Sequence, residues 1–160
     1  MIAEAAVARL RGRGETLAVA ESLTGGLLAA TLVEVPGSSA VFRGGLVVYA
    51  TELKHTLAGV PAPLLAERGP VDPDVALALA AGAAARCGAD WGLGTTGVAG
   101  PEPQDGVPVG TVFVACARPD GAAWVRSLRL DGDRATIRHA TVKAALDLLV
   151  ELAPAAGERG

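Results

Sequence analysis

Apolar residues recur along this chain at two spacings, and the switches between them mark its elements. From Ile2 to Arg11, Ile2, Ala5, Ala6 and Leu10 fall at helical spacing, and Gly12 and Gly14 end the run. Thr16 to Ala20 is short and apolar enough for a buried strand. A helix is predicted from about Thr24 to Val35, with Leu28, Leu32 and Val35 inward and Pro36-Gly37 as its stop. Val41 to Tyr49 reads as a second strand, whose Gly44-Gly45 pair marks a bulge or a close backbone approach. Thr51 to Leu57 suits a short helix carrying Lys54, and Pro61 to Glu67 a helical turn closed by Gly69-Pro70.

Asp72-Pro73 is an N-cap followed by proline at the first helical position. It opens an alanine-rich helix to about Cys87, with Val75, Leu79, Gly82 and Ala83 inward. Gly82 lowers helix propensity, so close backbone approach is its expected reason. The alanines imply close packing, within the domain or across a dimer interface. Trp91 to Thr95 is a glycine-rich strand that runs into the turn Thr96 to Pro101, and Glu102 to Val107 is an exposed loop. Strands Pro108 to Ala115 and Ala122 to Leu130 are joined by a hairpin at Pro119-Asp120-Gly121. Asp131 or Asp133 caps a final helix, with Ile137, Thr141, Ala145, Leu148 and Leu152 inward. The order predicts an α/β fold: a three-layer α/β/α sandwich around a mixed, mostly parallel sheet. It is read as one domain over residues 1–153, with a frayed tail at 154–160.

Composition narrows the function classes. Half of the 160 residues are hydrophobic, yet no run is long and apolar enough to span a bilayer, and Met1-Ile2-Ala3-Glu4 does not begin a signal peptide. The reading is a cytoplasmic protein without a membrane partner. The net charge is −3 and the basic residues are scattered, which argues against nucleic acid. Cys87 and Cys116 lack CxxC spacing and read as buried thiols, and His55 and His139 form no ligand pattern, so no metal site is expected. Lys54 and Lys143 are the only lysines beside twelve arginines, and Tyr49 is the only tyrosine. Arginine can replace a surface lysine, but not a lysine that must lose its proton. Tyr49 and Lys54 lying close together is therefore informative.

The candidate chemistry centres on Ser22, where strand hands over to helix in Glu21-Ser22-Leu23-Thr24-Gly25-Gly26. Free N–H groups at such a joint, with two glycines that let a ligand approach, put a nucleophile beside an oxyanion hole. Equally, Ser22 or Thr24 is a helix N-cap. In most triads a histidine would serve as the base, but none here is suitably placed. Lys54 can take that role if burial lowers its pKa, with Tyr49 relaying the proton. Ser22, Tyr49 and Thr96 all fall at strand ends, where α/β sheets bind ligands.

Several motifs occur in order: Glu21 to Gly26, Gly37 to Gly45, Tyr49 with Glu52-Leu53-Lys54, Thr96 to Pro101, and Pro108 to Val112. Together they closely resemble the CinA C-terminal domain family over about Ile2 to Leu152. Its enzymatic members are nicotinamide-nucleotide amidohydrolases, which hydrolyse the carboxamide of nicotinamide mononucleotide to nicotinic acid mononucleotide and ammonia, a step of pyridine nucleotide recycling in NAD metabolism. The resemblance implies catalytic roles for Ser22, Tyr49 and Lys54, with no metal and no organic cofactor. Thr24, Gly25, Gly26, Gly44, Gly45, Thr96, Gly97, Ala99 and Gly100 become candidate substrate-binding residues, one glycine turn holding the oxyanion and the other the phosphate. Arg43, Arg134 and Arg138 are candidate phosphate partners. Larger CinA proteins carry an additional N-terminal domain, so this chain resembles the stand-alone form. It departs from the common pattern at Leu23, where cysteine is frequent, at Ala50-Thr51, where Ser-Asn is frequent, and in a glycine-poor loop at Glu102 to Asp105. The expected partners are a small nucleotide substrate and further copies of the chain, at least as a symmetric dimer. Two other readings stay open: a non-catalytic nucleotide-binding module, and an interaction domain acting through the alanine-rich helix.

Overall fold

In the computed structural model, which describes residues 1–157, the two-residue alternation of the first strand sorts the core. This strand, β1 (Leu17–Glu21), is buried along its whole length. Leu17 and Val19 enter one apolar cluster with α1 (Ile2–Arg13), α2 (Leu27–Val33) and α6 (Arg134–Leu152). Ala18 and Ala20 enter another, with Val75, Leu79 and Ala83 of α5 (Pro73–Cys87) and Leu65 of α4 (Ala62–Arg68). The sheet thus carries helices on both faces, giving three layers.

The sheet has five strands in the order β2-β1-β3-β4-β5, where β2 is Phe42–Val47, β3 Trp91–Gly97, β4 Thr111–Ala117 and β5 Ala123–Arg129. Strand β1 pairs in parallel with β2 and β3, while β3–β4 and β4–β5 are antiparallel, so β4 alone runs against the rest. The mixed, mostly parallel sheet predicted from the sequence is observed. Strands β1, β2 and β3 end at the same edge, which positions the site.

The glycines of β3 explain how the alanine-rich helix sits. A Cβ on Gly92 would lie 1.9 Å from the Ala80 carbonyl oxygen, and one on Gly94 2.6 Å from that of Ala76. Helix α5 therefore packs backbone-close on β3, and Ala76, Ala80, Ala83 and Ala84 are buried there. These four alanines pack within the domain, while Ala81 and Ala85 of the same helix face outward. Gly82 does meet backbone, since a Cβ there would lie 1.9 Å from the Ala58 carbonyl oxygen.

Several boundaries differ from expectation. Helix α2 starts at Leu27 rather than Thr24, because Gly25 and Gly26 take left-handed φ of 57° and 101°. Strand β2 stops at Val47, leaving Tyr49 just beyond it, and β3 extends to Gly97, so Thr96 and Gly97 close the strand rather than open the turn. Strand β4 begins at Thr111 instead of Pro108. The buried stripe of α1 is Ala3, Ala6, Val7 and Leu10, and Ala5 faces outward. Asp133 rather than Asp131 caps α6, accepting the Thr136 amide at 2.8 Å, a bond that holds its carboxyl pKa below the ordinary value. Of the expected tail, residues 154–157 form no helix or strand, and 158–160 lie outside the described residues.

Candidate active site

Ser22 directly follows β1, Tyr49 follows β2 by two residues, and Thr96 and Gly97 end β3. Helix α3 (Thr51–Thr56) brings Lys54 back over the same edge. All five residues line one mostly polar cavity of about 130 Å³, which Leu23, Ala99, Gly100, Glu102, Gln104 and Arg134 complete on one side and Pro70 and Val71 on the other. The structure therefore brings together the three side chains singled out as catalytic, with part of the glycine turn.

Ser22 is buried, and its amide donates to the Thr95 carbonyl at 3.1 Å. Its hydroxyl bonds to no described residue, yet among the described residues no fully buried side-chain oxygen lacks a partner, so this hydroxyl opens onto the cavity. It is not a helix cap. Neither is Thr24, whose hydroxyl pairs with that of Thr95 at 2.9 Å. The cap comes from Glu21, whose carboxylate oxygens accept from the Leu28 amide at 2.8 Å and the Ala29 amide at 3.1 Å. The first-turn donors of α2 are thus taken by the protein's own carboxylate, and a substrate anion has no access to them.

Lys54 is 1% exposed, and its Nζ donates to the carbonyls of Val48 at 2.8 Å and Tyr49 at 3.1 Å. Burial is the dominant influence and lowers its pKa to about 8, with the nearby Glu52 carboxylate opposing part of the shift. Those two carbonyls match the two N–H groups of a neutral amine, which leaves its lone pair to accept a proton. Neighbouring His55 is turned away, its Nδ1 paired with the Val60 carbonyl at 2.8 Å. Tyr49 is 62% exposed, and its hydroxyl accepts from Arg134 Nη2 at 3.1 Å, so its own proton remains free to donate.

The candidate binding residues divide. Thr96, Gly97, Ala99 and Gly100 line the cavity. Thr96 Oγ1 donates to the Pro70 carbonyl at 2.6 Å and ties β3 to the α4–α5 connection. The amides of Leu23, Ala99 and Gly100 donate to no acceptor among the described residues, and all three residues line the cavity. Thr24, Gly25 and Gly26 do not line the cavity; they form the turn behind Ser22. Gly44 and Gly45 lie within edge strand β2, beside a register shift against β1, and a Cβ on Gly45 would sit 2.6 Å from Val19 Cγ2. Gly45 is thus a packing glycine, a Cβ on Gly44 would meet nothing within 4 Å, and neither lines the cavity.

Of the three arginines, only Arg134 reaches the cavity, where it also donates to the Gly100 carbonyl at 2.5 Å. Arg138 is held by the carbonyls of Leu23 and Thr24, and Arg43 by that of Cys87. Glu21, Pro70, Val71, Glu102 and Gln104 had no assigned role from sequence. None left a local signal; the Glu21 carboxylate caps α2 from the preceding strand, across a turn where the sequence offered Ser22 and Thr24 as caps. Among the described residues no three His, Cys, Asp or Glu side chains come together as a metal site, and no helix is long and apolar enough to cross a membrane.

Comparison with known proteins places this geometry. The family model described as CinA C-terminal domain matches residues 1–153. A CinA-like protein of Frankia casuarinae is 57% identical over 137 residues, covering 86% of this chain and 31% of that protein. One from Geobacter sulfurreducens is 52% identical over 148 residues, covering 91% and 36%. The chain thus spans about a third of the length of these curated relatives. Among solved structures, the competence/damage inducible protein CihA from Agrobacterium tumefaciens superposes with a TM-score of 0.89 at 37% identity, covering 94% of each chain. A competence-damaged protein (CinA) superfamily protein from Escherichia coli gives 0.88 at 32% identity, covering 95% of this chain and 91% of that one.

Proposed function

This chain belongs to the CinA C-terminal domain family, and from that premise we propose that it hydrolyses the carboxamide of nicotinamide mononucleotide, releasing nicotinic acid mononucleotide and ammonia. The observation that carries the reading is the pairing of an unbonded serine hydroxyl with a buried lysine of lowered pKa in one polar cavity. Ser22 Oγ attacks the carboxamide carbon while Lys54 Nζ accepts its proton. The resulting oxyanion takes the free amide of Leu23, the residue after the nucleophile. Collapse breaks the C–N bond, and ammonia departs with the proton returned from Lys54, Tyr49 bridging the transfer. Water then attacks the acyl-serine by the reverse proton path and frees the carboxylate product.

The open turn at Ala99-Gly100, together with Arg134, suits the phosphate. A guanidinium has five N–H donors, and the two spent on Gly100 and Tyr49 leave others for a phosphate oxygen. Incubating the protein with nicotinamide mononucleotide and measuring ammonia tests the proposal. Binding without ammonia release would favour a nucleotide-binding module instead.

A further inference from the structure

We infer that Glu21 is a positioning residue for Ser22, an assignment that rests on the reading of Ser22 as nucleophile. Glu21 is fully buried at the end of β1 and does not line the cavity. Its carboxylate reaches forward over the Ser22–Gly26 turn and accepts the first free amides of α2, at Leu28 and Ala29. Helix α2 is only seven residues long, and the glycine at its N-cap has no side chain to offer. Without Glu21, two buried or half-buried amides lose their acceptor. Within its own backbone the turn between strand and helix is then closed by Gly25 N–H to Ser22 C=O at 3.1 Å and Leu27 N–H to Thr24 C=O at 2.9 Å, while Arg138 and Thr95 hold its Leu23 and Thr24 positions from outside. Two left-handed glycines inside it offer no stiffness of their own.

The main chain of the same residue ties in the base. The Glu21 carbonyl accepts the Val48 amide at 2.8 Å, and the Val48 carbonyl in turn holds Lys54 Nζ. Glu21 therefore references the serine turn through its side chain and the lysine through its backbone. A side-chain substitution disturbs the first and spares the second. That asymmetry separates positioning from general loss of stability.

Glu21→Gln keeps the length but turns an NH₂ donor toward an amide donor, while Glu21→Asp is one methylene too short to span both amides. Each variant is assayed for ammonia release below its unfolding transition, with amide hydrogen exchange followed by NMR. Positioning predicts that Glu21→Gln lowers kcat roughly 10- to 100-fold at near-constant KM, with the Lys54 pH midpoint unmoved, and Glu21→Asp less severely. It also predicts faster exchange confined to the 22–29 turn. A folded Glu21→Gln protein with a lower Tm but wild-type kcat would reduce Glu21 to a helix cap and overturn the assignment, as would failure of both variants to fold. Absence of ammonia release from the wild type would refute the hydrolase reading instead. The exchange pattern would still decide on Glu21, since uniform acceleration across the sheet would overturn its local role.

Discussion

Raising the pH from about 7 to about 9 should increase turnover about tenfold and then level off. Lys54 accepts the serine proton only when neutral, and its pKa of about 8 makes that form about 9% of the protein at pH 7, half at pH 8 and about 90% at pH 9. A lysine at its ordinary value of 10.5 would behave differently: turnover would rise about a hundredfold over the same interval and keep rising past about pH 10. The assay is steady-state formation of nicotinic acid mononucleotide, with stability checked at each pH. Linkage adds a second readout. The folded pKa lies below the unfolded one, so between about 8 and 10.5 the unfolded chain holds more protons. The lysine's contribution to stability therefore rises with pH in that window, and its penalty is complete below it. Lys54→Met should flatten this part of the profile and lower kcat about a thousandfold. Lys54→Arg should be nearly as damaging, because guanidinium keeps its proton and is larger than the ammonium the site encloses. A Lys54→Arg protein with near wild-type kcat, or a turnover profile that is flat between about pH 7 and 9, would refute the base assignment.

Ser22→Ala should abolish deamidation while changing stability by less than about 0.5 kcal/mol, since its hydroxyl holds nothing; wild-type turnover in the folded variant would end the nucleophile assignment. Exhaustive chelation should leave activity intact, and loss restored by a divalent ion would count against the metal-free mechanism. Gly92→Ala should destabilise by about 3 kcal/mol, because its Cβ meets the Ala80 carbonyl of a helix that cannot retreat without losing β3; thermal unfolding checks this. A homodimer is the expected form in solution, and a strictly monomeric mass at micromolar concentration would contradict it. Val33, Val47, Leu53, Leu57, Trp124 and Val125 are among the exposed apolar side chains such a contact could cover.

What the sequence disclosed about this site, and what it withheld, follows the range of each interaction. The central strands were legible as short runs buried on both faces, and Ser22, Tyr49 and Lys54 because their residue types stand out at or just beyond strand ends. The helix cap was not. Capping usually comes from the residue beside the helix, whereas here it comes from the preceding strand, across a turn whose purpose is to hold Ser22. Arg134 and Arg138 show the same limit on a smaller scale. They sit four residues apart on one helix and are chemically identical, yet one meets the Gly100 carbonyl and a phenol at the cavity while the other meets two carbonyls behind the serine turn. Nothing local distinguishes them; what each touches is set by the ends of β1 and β3. The pair Gly44-Gly45 divides: read as a bulge or close approach within a strand, it lies beside a register shift and Gly45 does approach Val19, while the binding role implied by the family resemblance finds neither glycine at the cavity. The chain thus spends much of its unusual chemistry behind the cavity. In the proposed mechanism Glu21 and Val48 contact no substrate but hold the serine turn and the lysine that react.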